Sequence, residues 1–174
     1  MEELVQVLTE DGILTGKYIS KVEAHRKGIC HGISVIAIIN SDGRLLIQKR
    51  SNTKKAEANK WDLSSAGHID LDETADKAAI REMYEELGIK VEENDLKLID
   101  TNLIKIKLSE EVYINHFTYL YIVMKDIDIN KIIMHKSEVS NIRFVNKQEF
   151  LDLLNNGKMV EGAKYCNKLL NYMK

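Results

Sequence analysis

Three glutamates near the middle of the chain are spaced so that one helix would bring their carboxylates together. Glu82, Glu85 and Glu86 lie in a run without glycine or proline, over 72–87, that ends at Gly88. At about 100° per residue, Glu82 and Glu86 fall on the apolar face of this helix, and Glu85 flanks the same edge. Moving an ionised carboxylate toward a core costs several kcal/mol unless something pairs with it. The pattern therefore predicts a bound partner for these acids.

A hard divalent cation is the partner that fits this group best. Like charges at i, i+3 and i+4 repel each other, and either protons or a cation must relieve them. Oxygen ligands suit Mg²⁺ or Mn²⁺, which also bind phosphate oxygens, whereas the CxxC and HExxH patterns of zinc sites are absent. The alternative is an ordinary solvated helix end, and the apolar position of two of the acids argues against it.

The glutamates belong to a longer pattern of fixed residue types and spacings. Five residues separate its first glycine from its first glutamate, and seven more precede the arginine: Gly67, Glu73, Arg81, Glu82, Glu85, Glu86, Gly88 and Ile89. Seven fixed types at a frequency of roughly 7% would coincide by chance about once in 10⁸ windows. The segment 67–89 resembles the Nudix box at every defining position.

The resemblance to the Nudix family implies hydrolysis of a phosphoanhydride in a small diphosphate compound, such as a nucleoside diphosphate derivative, with Mg²⁺ or Mn²⁺. It also implies the metal ligands, three carboxylates and a main-chain carbonyl: Glu82, Glu85, Glu86 and Gly67. Arg81 would orient the carboxylates by ion pairing, with Glu73 in support. Glu82 is the expected general base, and Glu138, in the loop before the last strand, is the alternative.

Two basic residues at the end of a predicted strand are candidates for binding substrate phosphates. Lys49 and Arg50 could supply charge-assisted hydrogen bonds to phosphate oxygens. The alternative is a solvated sheet edge. The group attached to the diphosphate is not identified by the sequence, because the motif sets the chemistry and the surrounding loops select the substrate.

Similarity extends from about residue 12 to 145 and resembles the Nudix branch near isopentenyl-diphosphate isomerase. The segments are 16–17, 24–28, His31, 48–50 and 61–68. The isomerase's catalytic cysteine would stand at Ala66, and alanine can neither deliver nor accept a proton. The later segment 113–117 also offers no acid. A hydrolase is therefore preferred over an isomerase and over a catalytically silent Nudix domain that binds a nucleotide or a protein.

Several histidines raise a separate question. His25, His31 and His68 resemble the isomerase's additional metal site, and His116 falls nearby in the expected strand register. Neutral imidazoles bind transition metals well, so these residues are accessory candidates. The alternative is a set of hydrogen-bonding histidines without a metal.

Composition bounds the remaining possibilities. With 174 residues, 44% hydrophobic and 30% charged, the chain predicts one domain over 1–174. A net charge of −2 gives no general attraction to nucleic acid or anionic lipid, and the longest apolar run, 33–39, is far short of the roughly 20 residues of a membrane span. Two cysteines without CxxC spacing, and an acidic start unlike a signal peptide, favour the cytoplasm. The partner is a small molecule, and a homodimer is an alternative to a monomer.

The elements that must position the acids follow from the hydrophobic pattern. A β-branched run buried on both faces and several alternating segments predict a mixed sheet, with helices on its faces. The expected fold is α/β, a Nudix-type α/β/α sandwich with a loop-helix-loop motif. The predicted elements are an N-terminal hairpin over 4–19, strands at 33–39, 45–49, 61–65, 96–108, 112–124 and 142–145, and C-terminal helices within 147–173, at 147–154 and 162–172.

Overall fold

The protein forms one mixed β-sheet flanked by helices. A computed structural model describes residues 3–174, which contain these strands: β1 (Leu4–Leu8), β2 (Leu14–Ser20), β3 (His31–Ile39), β4 (Leu45–Arg50), β5 (Trp61–Asp62), β6 (Ser65–His68), β7 (Lys97–Lys107), β8 (Tyr113–Met124) and β9 (Val139–Val145). The α-helices are α1 (Lys21–Lys27), α2 (Ala75–Leu87) and α3 (Lys147–Asn155). Short 3-10 helices cover Glu93–Asp95, Ile129–Lys131, Glu161–Tyr165 and Asn167–Asn171.

Strand β3 is the centre of the sheet, as its β-branched sequence predicted. All nine of its residues are buried. It runs parallel to β8 from the His31–His116 pair to the Ile39–Met124 pair, and it is antiparallel to β1, β4 and β6. The long hairpin of β7 and β8 and the pairing of β4 with β9 extend the sheet to either side.

The two faces of the sheet carry separate cores. Ile36 and Ile38 of β3 point toward α2 and pack with Met83, whereas Ala37 and Ile39 point the other way. Successive side chains of a strand alternate between faces, so one strand supports both layers. α3 and the C-terminal 3-10 helices cover the second face. The α/β sandwich predicted from the sequence is confirmed.

The N-terminal hairpin is confirmed as β1 and β2, with Gly12 in the left-handed region at φ 79°. Other predicted boundaries were wrong by a few residues. The strand predicted over 61–65 is divided into β5 and β6, and β9 begins at Val139 rather than at Ile142. These errors lie at ends of strands, where the apolar pattern is weakest.

Helix α2 begins later than its sequence predicted. Asp72 adopts a left-handed φ of 60°, and Thr74 is the extended N-cap residue, so residues 72–74 belong to the preceding loop. The helix ends as expected at Gly88, whose N–H donates to the carbonyl of Tyr84 at 2.8 Å. The left-handed φ of 65° at Gly88 is one that glycine adopts without a Cβ penalty. This loop and helix carry Glu73, Arg81 and the three glutamates of the motif.

The second predicted C-terminal helix, over 162–172, was wrong in type, because two 3-10 helices occupy this stretch. Val160, Ala163, Cys166 and Leu169 are all buried and recur at every third residue. Hydrogen bonds run between the same positions, from each N–H to the carbonyl three residues earlier. A 3-10 helix has three residues per turn and places this set on one line, whereas an α-helix would spread it around the axis.

This geometry predicts which C-terminal leucine stabilises the fold. Leu169 is fully buried, so Leu169→Ala should lower the free energy of unfolding by about 2–5 kcal/mol, through lost burial and a residual cavity. Urea unfolding followed by circular dichroism measures the loss. Leu14→Ala is the matched control, since Leu14 is 62% exposed and should change stability by less than about 1 kcal/mol. Equal losses in both variants would contradict the packing described here.

Candidate active site

Glu86 is an acid buried at the interface between α2 and the sheet. It is only 5% exposed, and Oε2 accepts hydrogen bonds from Ser65 Oγ at 2.6 Å, Gln48 Nε2 at 2.8 Å and the Ala66 N–H at 3.3 Å. All three donors come from β4 and β6. The helix therefore brings this carboxylate onto the sheet, and the sheet fixes one of its two oxygens.

Glu82 lies one turn earlier and packs directly against Gly67. A Cβ placed at Gly67 would lie 1.9 Å from the Glu82 carboxyl carbon and 2.1 Å from Oε1. No real side chain tolerates such a contact. Glycine at this position is therefore what lets the Glu82 carboxylate approach the backbone of β6 at the residue that the sequence predicted as a ligand.

Arg81 links the acids of the loop to those of the helix. Its Nε and Nη2 bind the two carboxylate oxygens of Glu73, at 3.0 and 2.8 Å. Its Nη1 donates to Glu82 at 2.7 Å and to Glu85 at 3.3 Å, and Nη2 also donates to the His68 carbonyl at 2.9 Å. These bonds, to Glu73 above all, raise the pKa of Arg81 above its usual value. The ion pairing expected of Arg81 and Glu73 is present in the structure.

Glu85 is the exposed member of the acidic group. Its side chain is 58% exposed, against 17% for Glu82. The two outer acids therefore line an open edge of the group, while Glu86 forms its buried floor. A ligand from solvent can reach this edge.

The structure brings Glu138 toward the same end of α2. The backbone N–H of His135 donates to the Glu86 carbonyl at 2.8 Å, so the loop before β9 packs on the end of the helix. Glu138 pairs with Lys54, whose side chain is 26% exposed. Burial, with the nearby Arg50, lowers the pKa of Lys54. Two loops therefore meet near this end of α2: the loop before β9 supplies the Glu138 carboxylate, and the loop after β4 supplies the Lys54 amine.

Lys49 and Arg50 do not lie together, because neighbouring residues of a strand face opposite sides of the sheet. Arg50 shares the face of Gln48 and binds Asp62 at 3.5 Å and the Ala56 carbonyl at 3.1 Å. Lys49 pairs across strands with Trp61, which packs on the opposite core. Of the two, only Arg50 is on the side of the sheet that carries the glutamates.

Burial changes the protonation of the inner acids. Desolvation raises the pKa of Glu86 to about 7 despite its hydrogen bond from Ser65, and the negative charge of Glu82 adds to the effect. Desolvation also raises the pKa of Glu82, against the ion pair with Arg81. The positive charge of Arg81 therefore does not balance the negative charges of the acidic group. Its all-oxygen donors, its residual charge and the close approach at Gly67 fit Mg²⁺ or Mn²⁺.

Residues that the sequence did not assign also belong to the site. Gln48 and Ser65 hold Glu86 by hydrogen bonds. Gln48 is a polar residue in an otherwise apolar strand, and this feature of the sequence could have indicated that it has a role in the site. Nothing in the pattern around Ser65 indicates this role.

The histidines form a second cluster beside the acids. His25, His31, His68 and His116 each bring a ring nitrogen into a group whose atoms all lie within 4.8 Å of one another. His68 directly follows Gly67. The accessory histidines predicted from the sequence are therefore together in space, and His116 completes the set.

The structure also shows the surroundings of Ala66, the residue at the place of the isomerase's catalytic cysteine. Ala66 lies on β6 with its N–H directed at Glu86, and its methyl group has no proton to transfer. Cys30 and Cys166 are both buried elsewhere, at the Thr9 carbonyl and in the second core. Within residues 3–174, no helix is long and apolar enough to cross a bilayer.

Comparison with known proteins agrees with the fold and identifies the family. Residues 30–165 match the NUDIX domain family. An uncharacterised Nudix hydrolase from Listeria monocytogenes is 35% identical over 98% of this chain and 95% of its own length. The chain therefore belongs to the Nudix family and is a hydrolase. Enzymes of this class act on small diphosphate substrates.

Two further comparisons concern one sequence relative and one solved structure. An isopentenyl-diphosphate Δ-isomerase from Photorhabdus laumondii is 28% identical over 83% of this chain and 84% of its own. The crystal structure of DR0079 from Deinococcus radiodurans has a TM-score of 0.69 at 20% identity, covering 91% of this chain and 92% of that one. The second similarity supports the fold alone.

The contact between Gly67 and Glu82 predicts a selective defect. Gly67→Ala should displace the Glu82 carboxylate while leaving the fold intact, because only the end of a flexible side chain must move. We expect Mn²⁺ affinity, measured by calorimetric titration, to fall at least about tenfold. Gly162→Ala is the matched control, as a Cβ there meets no atom within 4 Å. Unchanged Mn²⁺ binding in Gly67→Ala would show that Glu82 is not held where the ion binds.

The raised pKa of Glu86 predicts a pH dependence of the metal-free protein. An acid whose folded pKa is raised contributes its full stability below its unfolded value and loses it as the pH rises through the folded pKa, here about 7. Between about pH 4.5 and 7, the wild type should lose stability relative to Glu86→Gln, and above about pH 7 the difference should level off. The limiting slope for one proton is about 1.4 kcal/mol per pH unit.

Urea unfolding in the presence of a chelator measures this difference. The buried histidines, whose pKa values burial lowers, titrate in both proteins, so their effect cancels when the wild type is compared with Glu86→Gln at each pH. Parallel stability curves for the wild type and Glu86→Gln would contradict the assignment of the raised pKa.

Proposed function

We propose that this protein hydrolyses a phosphoanhydride bond in a small diphosphate compound, with a nucleoside diphosphate derivative as the substrate class. The observation that supports the proposal is the group of Glu82, Glu85 and Glu86 on one edge of α2, with one acid buried and one open to solvent. Such a group needs a cation, and a diphosphate brings oxygens that share it.

The proposed metal ligands are the three glutamates and the Gly67 carbonyl, with Mg²⁺ or Mn²⁺ as the ion. When bound, a divalent ion neutralises phosphate charge and lowers the pKa of a coordinated water. The protein fixes the acids that would hold it. Glu86 Oε2 is occupied by donors from the sheet, so its orientation is set before any ligand arrives.

Glu82 is the proposed general base. Its side chain is partly buried, and burial raises its pKa, which suits a group that accepts a proton near neutral pH. Arg81 Nη1 binds Glu82 Oε1, which orients the carboxylate. Glu138 is the rival base, and its ion pair with Lys54 would have to open before it could accept a proton.

Positive side chains on the same side of the sheet are proposed to bind the substrate phosphates. Arg50 and Lys54 both lie on the side that faces Glu86. Arg50 pairs with Asp62 and Lys54 pairs with Glu138, so each would exchange a carboxylate for a phosphate oxygen on binding substrate. Lys49 lies on the other face and is a weaker candidate. Both cysteines are free, which favours a reducing cytoplasm as the location.

Isopentenyl-diphosphate isomerase activity is the second candidate, because relatives of that name match the chain and the histidine cluster is present. Ala66 argues against it, since a proton donor is missing from the position where the isomerase carries its thiol. The two reactions have different products. Hydrolysis releases a phosphorylated fragment, whereas isomerisation moves a double bond and keeps the diphosphate.

A substrate panel with matched variants tests the proposal. The panel contains nucleotide sugars, dinucleoside polyphosphates, NADH, nucleoside triphosphates and isopentenyl diphosphate, each with and without Mg²⁺, with products identified by mass spectrometry. We expect Mg²⁺-dependent release of phosphorylated products from at least one diphosphate compound. Double-bond migration without phosphate release would instead establish the isomerase.

On the best substrate, Glu85→Gln should lower kcat by about 100-fold or more, because it deletes a ligand charge and keeps the shape. Glu85 is exposed, so the variant should fold. Glu93→Gln, at an exposed glutamate of Glu93–Asp95, is the control and should retain full activity. Equal rates in the wild type and Glu85→Gln would remove Glu85 from the ligand set.

A further inference from the structure

Gln48 is a buried polar residue in the strand that lies below α2. The three residues before it in β4, over 45–47, are apolar and fully buried, and Gln48 itself is only 2% exposed. Successive residues of a strand alternate between faces, so Gln48 shares the face of Leu46, which packs in the core beneath α2. Removing an amide from water costs free energy unless the amide is hydrogen-bonded. The contacts of Gln48 must therefore account for a polar side chain at this position.

One end of the Gln48 amide is fixed by Glu86. Its Nε2 donates to Glu86 Oε2 at 2.8 Å. An ionised carboxylate accepts hydrogen bonds and has none to donate, so the amide turns its NH₂ group toward Glu86 and its carbonyl oxygen, Oε1, away from it. The chemistry of the pair thus determines which way each end of this side chain points.

The two carboxylate oxygens of Glu86 differ in their surroundings. Besides Gln48, Ser65 Oγ and the Ala66 N–H donate to Oε2, at 2.6 and 3.3 Å. Within residues 3–174, every hydrogen bond to this carboxylate ends on Oε2, and Oε1 receives none. Three donors occupy the lone pairs of Oε2. Gln48 therefore helps to leave Oε1 as the oxygen of Glu86 that can bind a ligand.

The other end of the Gln48 amide is an acceptor without a partner. Among the residues that the structure describes, Gln48 Oε1 is a buried atom with no hydrogen bond. The same holds for Nε of Arg50, a donor two residues further along β4. Buried polar atoms are nearly always paired, and a buried water, which both donates and accepts, commonly satisfies such groups. The polar layer between β4 and α2 is therefore suited to hold water beside Glu86.

We propose that Gln48 is a positioning residue for the glutamate centre, which holds Glu86 through Nε2 and accepts, at Oε1, a hydrogen bond from a water of the bound ion. This inference rests on the proposed Mg²⁺ or Mn²⁺ site. Ions of this kind keep several of their waters when they bind to carboxylates, and those waters need hydrogen-bond acceptors. Partners outside the ligand set orient the ligands of a metal and tune its affinity.

Glutamine suits this role better than a charged residue of the same size. The acidic group already carries more negative charge than Arg81 balances, and a second carboxylate at the position of Gln48 would lie against Glu86 and repel it. A neutral amide donates to one acid and accepts from water without changing the charge of the site. Gln48 therefore supplies both contacts without adding negative charge to the acidic group.

Mn²⁺ binding by Gln48→Met tests the proposal. Methionine keeps the length of the side chain and fits buried positions, but it lacks the N–H donor and the carbonyl acceptor of the amide. We expect the Mn²⁺ dissociation constant, measured by calorimetric titration of the full chain, to rise at least about tenfold. Gln148→Met is the matched control, because Gln148 is exposed on α3 and bonds locally to Asp152 at 2.9 Å. This control should bind Mn²⁺ as the wild type does.

Two further measurements separate positioning from a merely structural role. A structural role would lower the melting temperature of Gln48→Met equally with chelator and with Mn²⁺, whereas positioning makes the Mn²⁺-induced rise smaller than in the wild type, because a ligand stabilises according to its affinity. Ser65→Ala removes another donor to Glu86 Oε2 but keeps Gln48 Oε1. At saturating Mn²⁺, we expect Gln48→Met to alter the relaxation of solvent protons by the waters of the ion, and Ser65→Ala to leave it at the wild-type value.

The outcomes distinguish this inference from the proposed function. Mn²⁺ binding that is lost in Glu85→Gln but unchanged in Gln48→Met overturns the role of Gln48 and leaves the glutamate site standing. Binding that Glu85→Gln does not affect removes the glutamate site, and this inference with it. Equal proton relaxation in Gln48→Met and the wild type overturns the contact with water. Gln48→Leu repeats the measurements if Gln48→Met does not fold, since leucine already occupies buried positions of β4.

Discussion

One guanidinium shared among several acids is the interaction on which the site depends. Arg81 binds Glu73 with two N–H groups and directs another toward Glu82 and Glu85. A single positive charge holds these carboxylates in place but leaves the group negative overall. Negative charge is most costly at the buried Glu86, because water cannot screen it there, and this cost raises the pKa of Glu86. The same arrangement that orients the acids leaves them in need of a cation.

The sheet makes this arrangement possible by holding α2 close. Gln48 and Ser65 satisfy Glu86 from below, and Gly67 lets Glu82 approach the backbone of β6. Met83, on the same face of the helix, is fully buried in the core between these acids. Apolar packing thus sets the distance between α2 and the sheet, and at this distance the polar contacts of Glu82 and Glu86 can form.

The sequence predicted the features that depend on local pattern. The central strand, the hairpin turn at Gly12, the end of α2 at Gly88 and the clustering of acids on one helix face all follow from spacing or residue type. The start of α2 was missed, because Asp72 takes a left-handed conformation that the apolar pattern does not record. The helix predicted over 162–172 was wrong in type, because a repeat of three residues was interpreted as the 3.6-residue repeat of an α-helix.

Contacts between residues far apart in the chain could not be predicted from the sequence. The role of Gln48 requires that β4 lie beneath α2, and the separation of Lys49 from Arg50 requires the strand's alternation relative to that helix. The histidines illustrate the same limit, since their number and spacing did not distinguish a cluster from four unrelated residues. The parallel register of β3 and β8 brings His31 opposite His116. The pairing of distant strands therefore shows that the histidines lie together, which the sequence alone did not establish.

Strand β6 connects two sets of ligands with opposite chemical character. At Gly67 it faces oxygen donors that carry excess negative charge, and at His68 it contributes to a group of neutral nitrogens. Hard ions that retain water favour the first set, and borderline transition metals favour the second. Adjacent residues on a strand face opposite directions, so one strand can serve both groups without mixing their ligands. The acids and the histidines therefore lie on opposite faces of β6, and the Arg81 hydrogen bond to the His68 carbonyl is the direct link between the two groups.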